Sequence, residues 1–473
     1  MADLLQVPAL AVELGERFAA AGHPLHLVGG SVRDLLLGRH AQTPDLDFTT
    51  DARPEQVQAL ARGWAQETWD VGIEFGTVGL ARGGVRCEVT TYRSEHYDPA
   101  SRNPQVSFGE SLEGDLLRRD FTVNAMAVSV PELVFVDPFG GLRDLLDAVL
   151  RTPAPAVESF GDDPLRMMRA ARFVATLGLR PTNEVLAAMA ELGDRLLIVA
   201  PERLRDELIK TLLGPDPVTG LELLVDTGLA DHVLPELPAL KLSIDEHAQH
   251  KDVYAHTLRV LEQAIALESR LPGGGPDLVL RLAALLHDIG KPATKKVMAP
   301  GKVSFHKHEM VGARMARTRL KALRFPKDTV SAVTELVALH LRFHGYGEGS
   351  WTDSAVRRYV TDAGPQLERL HVLTRSDCTT RNQRKAARLA AAYDALEERI
   401  SRLQEQEDLR AIRPELDGIA IMAVLGIPPG PLVGQAYAYL LEIRLDRGLL
   451  GRAGVEQELR RWAAARDLLP PAP

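Results

Sequence analysis

The sequence predicts an α+β head followed by an all-helical body. Up to residue 150, short runs rich in β-branched residues are separated by glycine and proline, as in LHLVGG, DLDFTT and VRCEVTTY. After RTPAPAVESF (151–160) the strand signals nearly vanish, and apolar residues recur at helical spacing between breaks such as LLGPDP, LPGGGP and GIPPGP. We therefore expect four parts, namely a head (1–150), a helical neck (151–240), a second helical domain (241–385) and a helical tail (386–473).

Composition and charge restrict the class of protein. The 473 residues are 45% hydrophobic and 25% charged, which is typical of globular proteins, and the chain is too long for one domain. A formal net charge of −8 excludes a uniformly basic coat, so a nucleic-acid partner would need a local basic surface. Two cysteines, Cys87 and Cys378, exclude a disulfide framework. Because no basic leader and no apolar run of membrane-spanning length is present, we expect a cytoplasmic protein without membrane contact.

The segment DLDF places two carboxylates, Asp45 and Asp47, on one face of a predicted strand. Their repulsion is tolerable if a divalent cation lies between them, and Mg²⁺ prefers carboxylate oxygens together with substrate phosphates. In the preceding VGGSVRD, Gly30 allows a close approach of the backbone to a phosphate, and Arg33 can hold a phosphate oxygen. Together these residues predict a metal–triphosphate site for nucleotidyl transfer. A plain strand-to-helix turn with surface acids remains the alternative for either motif alone.

A second group of motifs follows at LLRRDFTVNAMAV, which contains Arg119, and at DPFGGLRDL. Farther along, DDPLRMMRAARF places Arg166, Arg169 and Arg172 at three-residue steps on a predicted helix, with Asp163 one turn earlier. Ion pairs on a solvated face would explain this spacing. The methionines and alanines between the arginines make the helix otherwise apolar, however, which indicates that the charges face something specific.

In combination and in this order, the motifs resemble the bacterial class II CCA-adding tRNA nucleotidyltransferase and poly(A) polymerase family. The matching stretches are GGSVRD, DLDF, RRDFTVNA, DPFGG, DDPLRMMRAARF and ERLRDEL. The resemblance implies a nucleotidyltransferase head of the polymerase-β type. It implies catalytic Mg²⁺ ligands at Asp45 and Asp47, and triphosphate contacts at Gly30, Arg33 and Arg119. It also implies that Asp163 and Arg166 select the base, supported by the nucleotide-binding residues Arg169 and Arg172.

The implied pair of Asp163 and Arg166 has the chemistry needed to choose a base without a template. A carboxylate only accepts hydrogen bonds and a guanidinium only donates them. Cytosine and adenine both present an amine donor beside a ring-nitrogen acceptor, whereas guanine and uracil reverse this pattern and would be rejected. The family usually has Glu-Asp where this chain has Asp162–Asp163, which leaves the base-reading acid in place. Glu88, in the strand RCEVTTY, is either a third metal-facing carboxylate or a surface ion-pair partner.

The segment YRSEHYDPASRNPQVSF (92–108) is rich in turn formers and charge. In the family that these motifs resemble, a flexible loop at this position is associated with the change of substrate from CTP to ATP. Enzymes of that family that add only CC have a shortened loop. Its nearly full length in this chain favours an enzyme able to add A. A surface loop without such a role is equally compatible with the composition.

Histidines and aspartates are concentrated in the second helical domain, around the motif HDIGK. This motif resembles the signature of the HD metal-dependent phosphohydrolase superfamily. The resemblance implies metal ligands at His256, His287, Asp288 and Asp377, and at the extra histidines of two-metal members, His308 and His340. Imidazole and carboxylate suit a divalent transition metal. The alternative is a decayed site whose histidines are hydrogen-bonded in the core.

We therefore predict a nucleotidyltransferase that adds or repairs the 3′-terminal CCA of tRNA from CTP and ATP with Mg²⁺. Its HD domain would hold a second metal site, with RNA ends carrying 2′,3′-cyclic phosphate or 3′-phosphate as substrates if it is active. A poly(A) polymerase and an enzyme adding only the terminal A are the nearest alternatives. An HD phosphohydrolase whose head merely binds nucleotide is the alternative from another class, and a tRNA chaperone without catalysis is weaker still.

Overall fold

Two units make up the fold, one formed by Met1–Pro238 and the other by Ala239–Pro473. The computed structural model describes residues 6–39, 45–70, 76–96, 105–108, 111–242, 252–299, 302–345, 351–380, 382–407, 412–466 and 468. Strands are concentrated in the first 150 residues, and helices dominate the described residues that follow. The predicted α+β head with an all-helical body is confirmed. Among the described residues, no helix combines the length and apolarity that crossing a bilayer requires.

One mixed sheet organises the head. Its strands are β1 (Leu25–Val28), β2 (Asp45–Thr50), β3 (Glu67–Trp69), β4 (Thr77–Arg82) and β5 (Val85–Thr91), together with two later strands numbered below as β8 (Ala127–Val130) and β9 (Phe135–Val136). They lie in the order β3-β4-β5-β2-β1-β8-β9. Strand β2 runs parallel to β5, whereas β1 is antiparallel to both β2 and β8. A separate antiparallel hairpin is formed by β6 (Arg93–His96) and β7 (Gln105–Phe108).

Alternation along β2 separates the core from the site. Leu46 and Phe48 are buried and pack with Phe18, Leu27 and Val89 in the core of the head. Because successive side chains of a strand point to opposite faces, the residues between them face away from this core. The helices of the head are α1 (Ala9–Ala20), α2 (Gly30–Leu36), α3 (Pro54–Ala61), α4 (Leu112–Leu117) and α5 (Gly141–Leu146).

The neck is helical apart from a short parallel pair, β10 (Val149–Leu150) with β11 (Arg180–Pro181). Its helices are α6 (Ala156–Asp162), α7 (Leu165–Leu177), α8 (Asn183–Leu192), α9 (Pro201–Leu212), α10 (Pro217–Asp226) and α11 (Ala230–Val233). Helix α7 packs against both α9 and α10, which explains why Met167, Met168, Ala170 and Ala171 are fully buried. The apolar stretches between the arginines of α7 are therefore core contacts.

The second unit begins with a helical bundle that is interrupted by one hairpin. Its elements are α12 (Val253–Leu267), α13 (Leu278–Leu286), α14 (Lys291–Thr294), β12 (Lys296–Ala299), β13 (Lys302–Ser304), α15 (His308–Ala322), α16 (Lys327–Leu339), α17 (Asp353–Ala363) and α18 (Leu367–Ser376). Helix α13 packs against α12, α16 and α18, and α15 packs against α16. Because α13 is central, nearly all of its residues are buried.

The remaining helices are α19 (Gln383–Gln406), α20 (Gly418–Leu425), α21 (Pro431–Arg447) and α22 (Gly451–Ala464). The last three share a small apolar core built from Ile421, Leu440, Leu459 and Trp462. Buried apolar side chains at helical spacing therefore hold this end of the chain together.

Candidate active site and metal centre

Three carboxylates lie on one face of the head sheet. Parallel pairing of β2 with β5 sets Asp47 opposite Glu88, so that Glu88 points to the same side as Asp45 and Asp47. Partial shielding from water, together with the charges of Glu88 and Asp45, raises the pKa of Asp47 to about 6, although the Arg119 guanidinium opposes this rise. Of the two sequence alternatives for Glu88, the register supports a third carboxylate beside the paired acids.

The turn between β1 and α2 brings the backbone against these acids at Gly29. This residue has φ +71°, and a Cβ added to it would lie 2.8 Å from Arg119 Nη1 and 3.9 Å from Asp47 Oδ2. At Gly30 the nearest atom to an added Cβ is Arg33 Nη2, at 3.5 Å. The glycine that the turn requires is therefore Gly29, which we did not single out from the sequence, since a positive φ is not visible in a double glycine.

Ser31 ties the start of α2 to the strand that carries the acids. Its hydroxyl donates to the Asp45 carbonyl and accepts from the Asp47 N–H, both at 3.1 Å. The position of the carboxylates relative to the glycine turn thus depends on one side chain. The sequence held no signal for this role beyond a serine in the turn.

Arg119 lies between the acids and a buried aspartate. The Asp115 carboxylate accepts hydrogen bonds from Arg118 Nη2 at 2.7 Å and from Arg119 Nη2 at 3.3 Å. The Arg119 Nε–H is buried and has no partner among the described residues. Burial alone would raise the pKa of Asp115, but the two guanidinium groups hold it below its usual value. The Arg119 guanidinium is therefore oriented beside Asp47 by a fixed negative charge.

A chain of polar contacts connects α2 to α7. Arg33 Nη1 donates to Asn124 Oδ1 at 2.7 Å, Asn124 Nδ2 donates to Asp120 Oδ1 at 3.0 Å, and Arg169 Nη2 lies 2.7 Å from Asp120 Oδ2. Against the effect of burial, Arg169 and Asn124 hold the pKa of Asp120 below its usual value, so this carboxyl is ionised. The RRDFTVNA motif therefore positions two of the predicted nucleotide contacts, Arg33 and Arg169, through Asp120 and Asn124.

The two residues predicted to read the base stand near each other at the start of α7 but are not paired with each other. Asp163 Oδ1 accepts the Leu165 N–H at 3.1 Å, and its Oδ2 is 3.6 Å from Arg203 Nη2. Arg166 is buried, and its guanidinium donates to the Ser159 hydroxyl at 2.8 Å and to the Arg118 carbonyl. Neither Ser159 nor Arg203 was singled out from the sequence.

The other predicted residues of this group divide between two environments. Arg169 is close enough to Asp47 for their charges to interact, whereas Arg172 Nε donates to Glu207 Oε2 at 2.6 Å on α9. Burial lowers the pKa of Arg172 despite this carboxylate. Of the loop predicted to support the change from CTP to ATP, the described part is the base of the β6–β7 hairpin, and residues 97–104 lie outside the described residues.

The second unit brings all six predicted metal ligands together. Asp288 is central, with its Oδ2 3.1 Å from His287 Nε2 and 3.5 Å from His256 Nε2. Its Oδ1 lies 3.2 Å from His308 Nε2 and 3.9 Å from His340 Nε2. Asp377 Oδ1 closes one side at 3.0 Å from His256 Nε2. The cluster therefore consists of two ligand groups that share Asp288.

Every histidine of this cluster is oriented by a hydrogen bond from its other ring nitrogen. The acceptors for Nδ1 are the carbonyls of Ala284, Phe305 and Val337, at 2.7–2.8 Å, for His287, His308 and His340. The fourth, His256, has Nδ1 3.0 Å from the Thr379 hydroxyl. Because Nδ1 donates to a carbonyl in three of them, Nε2 is the ring nitrogen that each can offer to a metal, as in protein metal centres.

The electrostatics of the cluster fit a divalent cation. Burial and the neighbouring His287 lower the pKa of His340 to about 3, so its imidazole is neutral. Against burial, His287 and Lys291 hold the pKa of Asp288 well below its usual value. The buried His340 Nε2 has no hydrogen-bond donor or acceptor among the described residues, its nearest carboxylate oxygen being Asp288 Oδ1 at 3.9 Å. A cation at this point would satisfy that otherwise orphaned atom, and this argues against the decayed-site alternative.

Fold and sites together define a nucleotidyltransferase of the polymerase-β type that carries an HD domain. Family models match the chain in the same order: the Poly A polymerase head domain over residues 25–151, the Probable RNA and SrmB- binding site of polymerase A over 178–240, and the HD domain over 253–382. The chain is 35% identical over 450 residues to the A-adding tRNA nucleotidyltransferase of Deinococcus radiodurans, a match that covers 92% of this chain and 95% of that protein. The chain therefore belongs to the tRNA nucleotidyltransferase and poly(A) polymerase family.

Relatives named CCA-adding enzyme match a shorter part of the sequence. That of Anoxybacillus flavithermus is 40% identical over 232 residues, which is 49% of this chain and 56% of that protein. Among solved structures, the Bacillus stearothermophilus CCA-adding enzyme in complex with CTP has a TM-score of 0.69 and 26% identity, covering 97% of this chain and 98% of that one. The resemblance read from the sequence motifs is thus confirmed for the whole chain.

Proposed function

We propose that this chain extends the 3′ end of tRNA, adding or repairing the terminal CCA from CTP and ATP with Mg²⁺. The observation that carries the proposal is the convergence of Asp45, Asp47 and Glu88 on one sheet face beside Arg119. Such a cluster of like charges is costly without a cation, and Mg²⁺ suits oxygen ligands that include substrate phosphates. Similarity to a CCA-adding enzyme solved with CTP supports the choice of substrate.

In this proposal, Asp45 and Asp47 hold Mg²⁺, with Glu88 as the third carboxylate. When bound, the metal activates the attacking 3′-hydroxyl and stabilises the charge of the leaving pyrophosphate. Arg119 provides a guanidinium for the triphosphate, already oriented by Asp115. Arg33 provides a second one, held by Asn124. These fixed charges need little reorganisation as negative charge moves toward the leaving group.

Base choice is assigned to Asp163 and Arg166. A guanidinium has five N–H groups, and the contacts of Arg166 with Ser159 and Arg118 use three of them. The remaining two are available to a ring-nitrogen acceptor of cytosine or adenine. Among the residues that the structure describes, the polar contact of Asp163 Oδ2 is the one at 3.6 Å with Arg203 Nη2, so this oxygen can accept the exocyclic amine of either base at small cost.

Addition of the terminal A alone is the second candidate for the head. The observation that favours it is the near full-length similarity to a protein named as A-adding, against half-length matches to proteins named as CCA-adding. Three tRNA transcripts, ending before CCA, after C and after CC, separate the two candidates when incubated with CTP, ATP and Mg²⁺. Extension of all three to CCA is expected. Extension of only the CC-ended transcript selects the A-adding function, and A tails select a poly(A) polymerase.

The HD domain is proposed to be a second, metal-dependent phosphohydrolase centre. This rests on the two ligand groups that share Asp288 and on the orphaned Nε2 atom of His340. A divalent transition metal suits this donor set. RNA ends that carry 2′,3′-cyclic phosphate or 3′-phosphate are the proposed substrates, because such ends would block nucleotide addition at the head. Release of phosphate from a 3′-phosphorylated RNA in the presence of divalent metal, and its loss with a chelator, tests this activity.

A further inference from the structure

The β12–β13 hairpin is a basic, exposed projection attached to the HD metal centre. Residues 291–308 contain five lysines and no aspartate or glutamate, in a chain whose net charge is −8. Lys295, Lys296 and Lys307 are exposed and have no ion pair with any residue that the structure describes. Unpaired cations of this density on a predominantly acidic protein are not required for folding, and they attract anionic ligands.

Both ends of the hairpin are anchored at the metal ligands. On the entering side, Lys291 Nζ lies 2.8 Å from Asp288 Oδ2. On the leaving side, the Phe305 carbonyl accepts a hydrogen bond from His308 Nδ1 at 2.8 Å, and the Phe305 side chain is fully buried. Close backbone packing holds the base of the hairpin, because a Cβ on Gly290 would lie 2.1 Å from the His308 carbonyl oxygen. The segments that flank the exposed lysines are therefore both held against residues of the metal centre.

The hairpin also carries exposed apolar side chains among its cations. Val297 is 74% exposed and Met298 is 71% exposed, both at the strand that Lys296 begins. Apolar side chains can contact the edges of nucleobases, while lysines contact phosphates. A mononucleotide whose phosphate is held at the metal centre has no further phosphate for Lys295, Lys296 and Lys307 to bind. A longer RNA supplies both phosphates and unstacked bases along the strand.

We infer that the β12–β13 hairpin is an RNA-binding arm of the HD site, and that the site acts on phosphate-terminated RNA in preference to free mononucleotides. The substrate class in this inference rests on the phosphohydrolase activity proposed above. The RNA-binding role of the hairpin does not depend on that activity. In this arrangement Lys295, Lys296 and Lys307 hold the backbone upstream of the end that enters the metal centre. Val297 and Met298 contact the unstacked bases of that strand.

The test measures binding of an eight-nucleotide RNA with a 5′-fluorophore and a 3′-phosphate, by anisotropy over a range of salt concentrations. Each phosphate contact of a single strand contributes about 0.7 to the slope of log K against log salt, so Lys295→Ala/Lys296→Ala lowers that slope by about 1.4. The matched control, Lys321→Ala/Lys327→Ala, removes two exposed lysines that likewise lack an ion pair with the described residues, and keeps the slope. A slope unchanged in the hairpin variant overturns the inference.

A second measurement separates RNA binding from hydrolysis. With metal present, the hairpin variant is expected to raise KM for the 3′-phosphorylated RNA about tenfold while hydrolysis of 3′-CMP stays the same. If the wild type hydrolyses neither substrate, the proposed activity fails, and the salt slope still decides the role of the hairpin. If Val297→Ser/Met298→Ser converts a dimer to a monomer without changing RNA affinity, the hairpin is a protein interface and the inference is overturned.

Discussion

Gly29→Ala tests whether the glycine turn positions Arg119 against the catalytic acids. At φ +71° an alanine is strained by about 1–3 kcal/mol. Its Cβ would also meet Arg119 Nη1 at 2.8 Å, whereas an ordinary contact is about 3.4 Å or more, so the guanidinium must retreat by about 0.6 Å. A misplacement of that size near reacting groups costs about 10- to 100-fold in rate, and we expect kcat for nucleotide addition to fall by this factor.

The matched control is Gly38→Ala. Gly38 has φ +64° and no atom within 4 Å of an added Cβ, so the substitution brings backbone strain without moving a side chain. Single-turnover addition of AMP to a CC-ended tRNA transcript measures the chemical step, and urea denaturation measures stability. Both variants should be less stable than the wild type, and only Gly29→Ala should lose rate. Equal rates for the two variants would show that the glycine turn does not position Arg119 for the reaction.

Three other variants test the remaining assignments. Because the pKa of Asp47 is raised to about 6 in the folded protein, its ionisation destabilises the metal-free fold as pH rises from about 4 to 6. Asp47→Asn should therefore raise the melting temperature of the metal-free protein at pH 8 but not at pH 3.5. The same substitution should abolish both nucleotide addition and stabilisation by Mg²⁺. A melting temperature unchanged at pH 8 would contradict this reasoning. Arg166→Ala should lower the preference for CTP over UTP about tenfold or more, measured as a ratio of kcat/KM values, and unchanged discrimination would remove Arg166 from base choice. His287→Ala with Asp288→Ala should abolish metal-dependent phosphatase activity and spare nucleotide addition, whereas loss of both activities would refute separate sites.

The residues that carry ligand chemistry were accessible from the sequence. Asp45 and Asp47 alternate with apolar residues, and this pattern alone places both on the solvent side of a strand. The HD motif and its distant histidines were found because imidazole and carboxylate are uncommon together in an apolar helical stretch. The structure places five of these side chains in two ligand groups that share Asp288, and Asp377 Oδ1 lies 3.0 Å from His256 Nε2.

The residues that hold those groups in position were not accessible in the same way. Ser159 and Arg203 contact Arg166 and Asp163 from neighbouring helices, and Asn124 reaches Arg33 across 91 positions of the chain. Each is an ordinary polar residue whose role arises from the neighbour that folding provides. A hydrogen bond between distant segments leaves no periodicity in the sequence that could reveal it.

The sequence by itself determined the order of an α+β head and a helical body, the paired acids, the arginine helix and the set of metal ligands. The first three follow from strand and helix periodicities and from residue chemistry, which are local properties. The set of metal ligands follows from the resemblance of HDIGK to the HD signature. Only the tertiary structure decided that Glu88 joins Asp47, that Gly29 rather than Gly30 makes the close approach, and that Arg172 faces Glu207. Those outcomes depend on strand register, backbone torsion and helix packing, which are set by contacts between segments far apart in the chain.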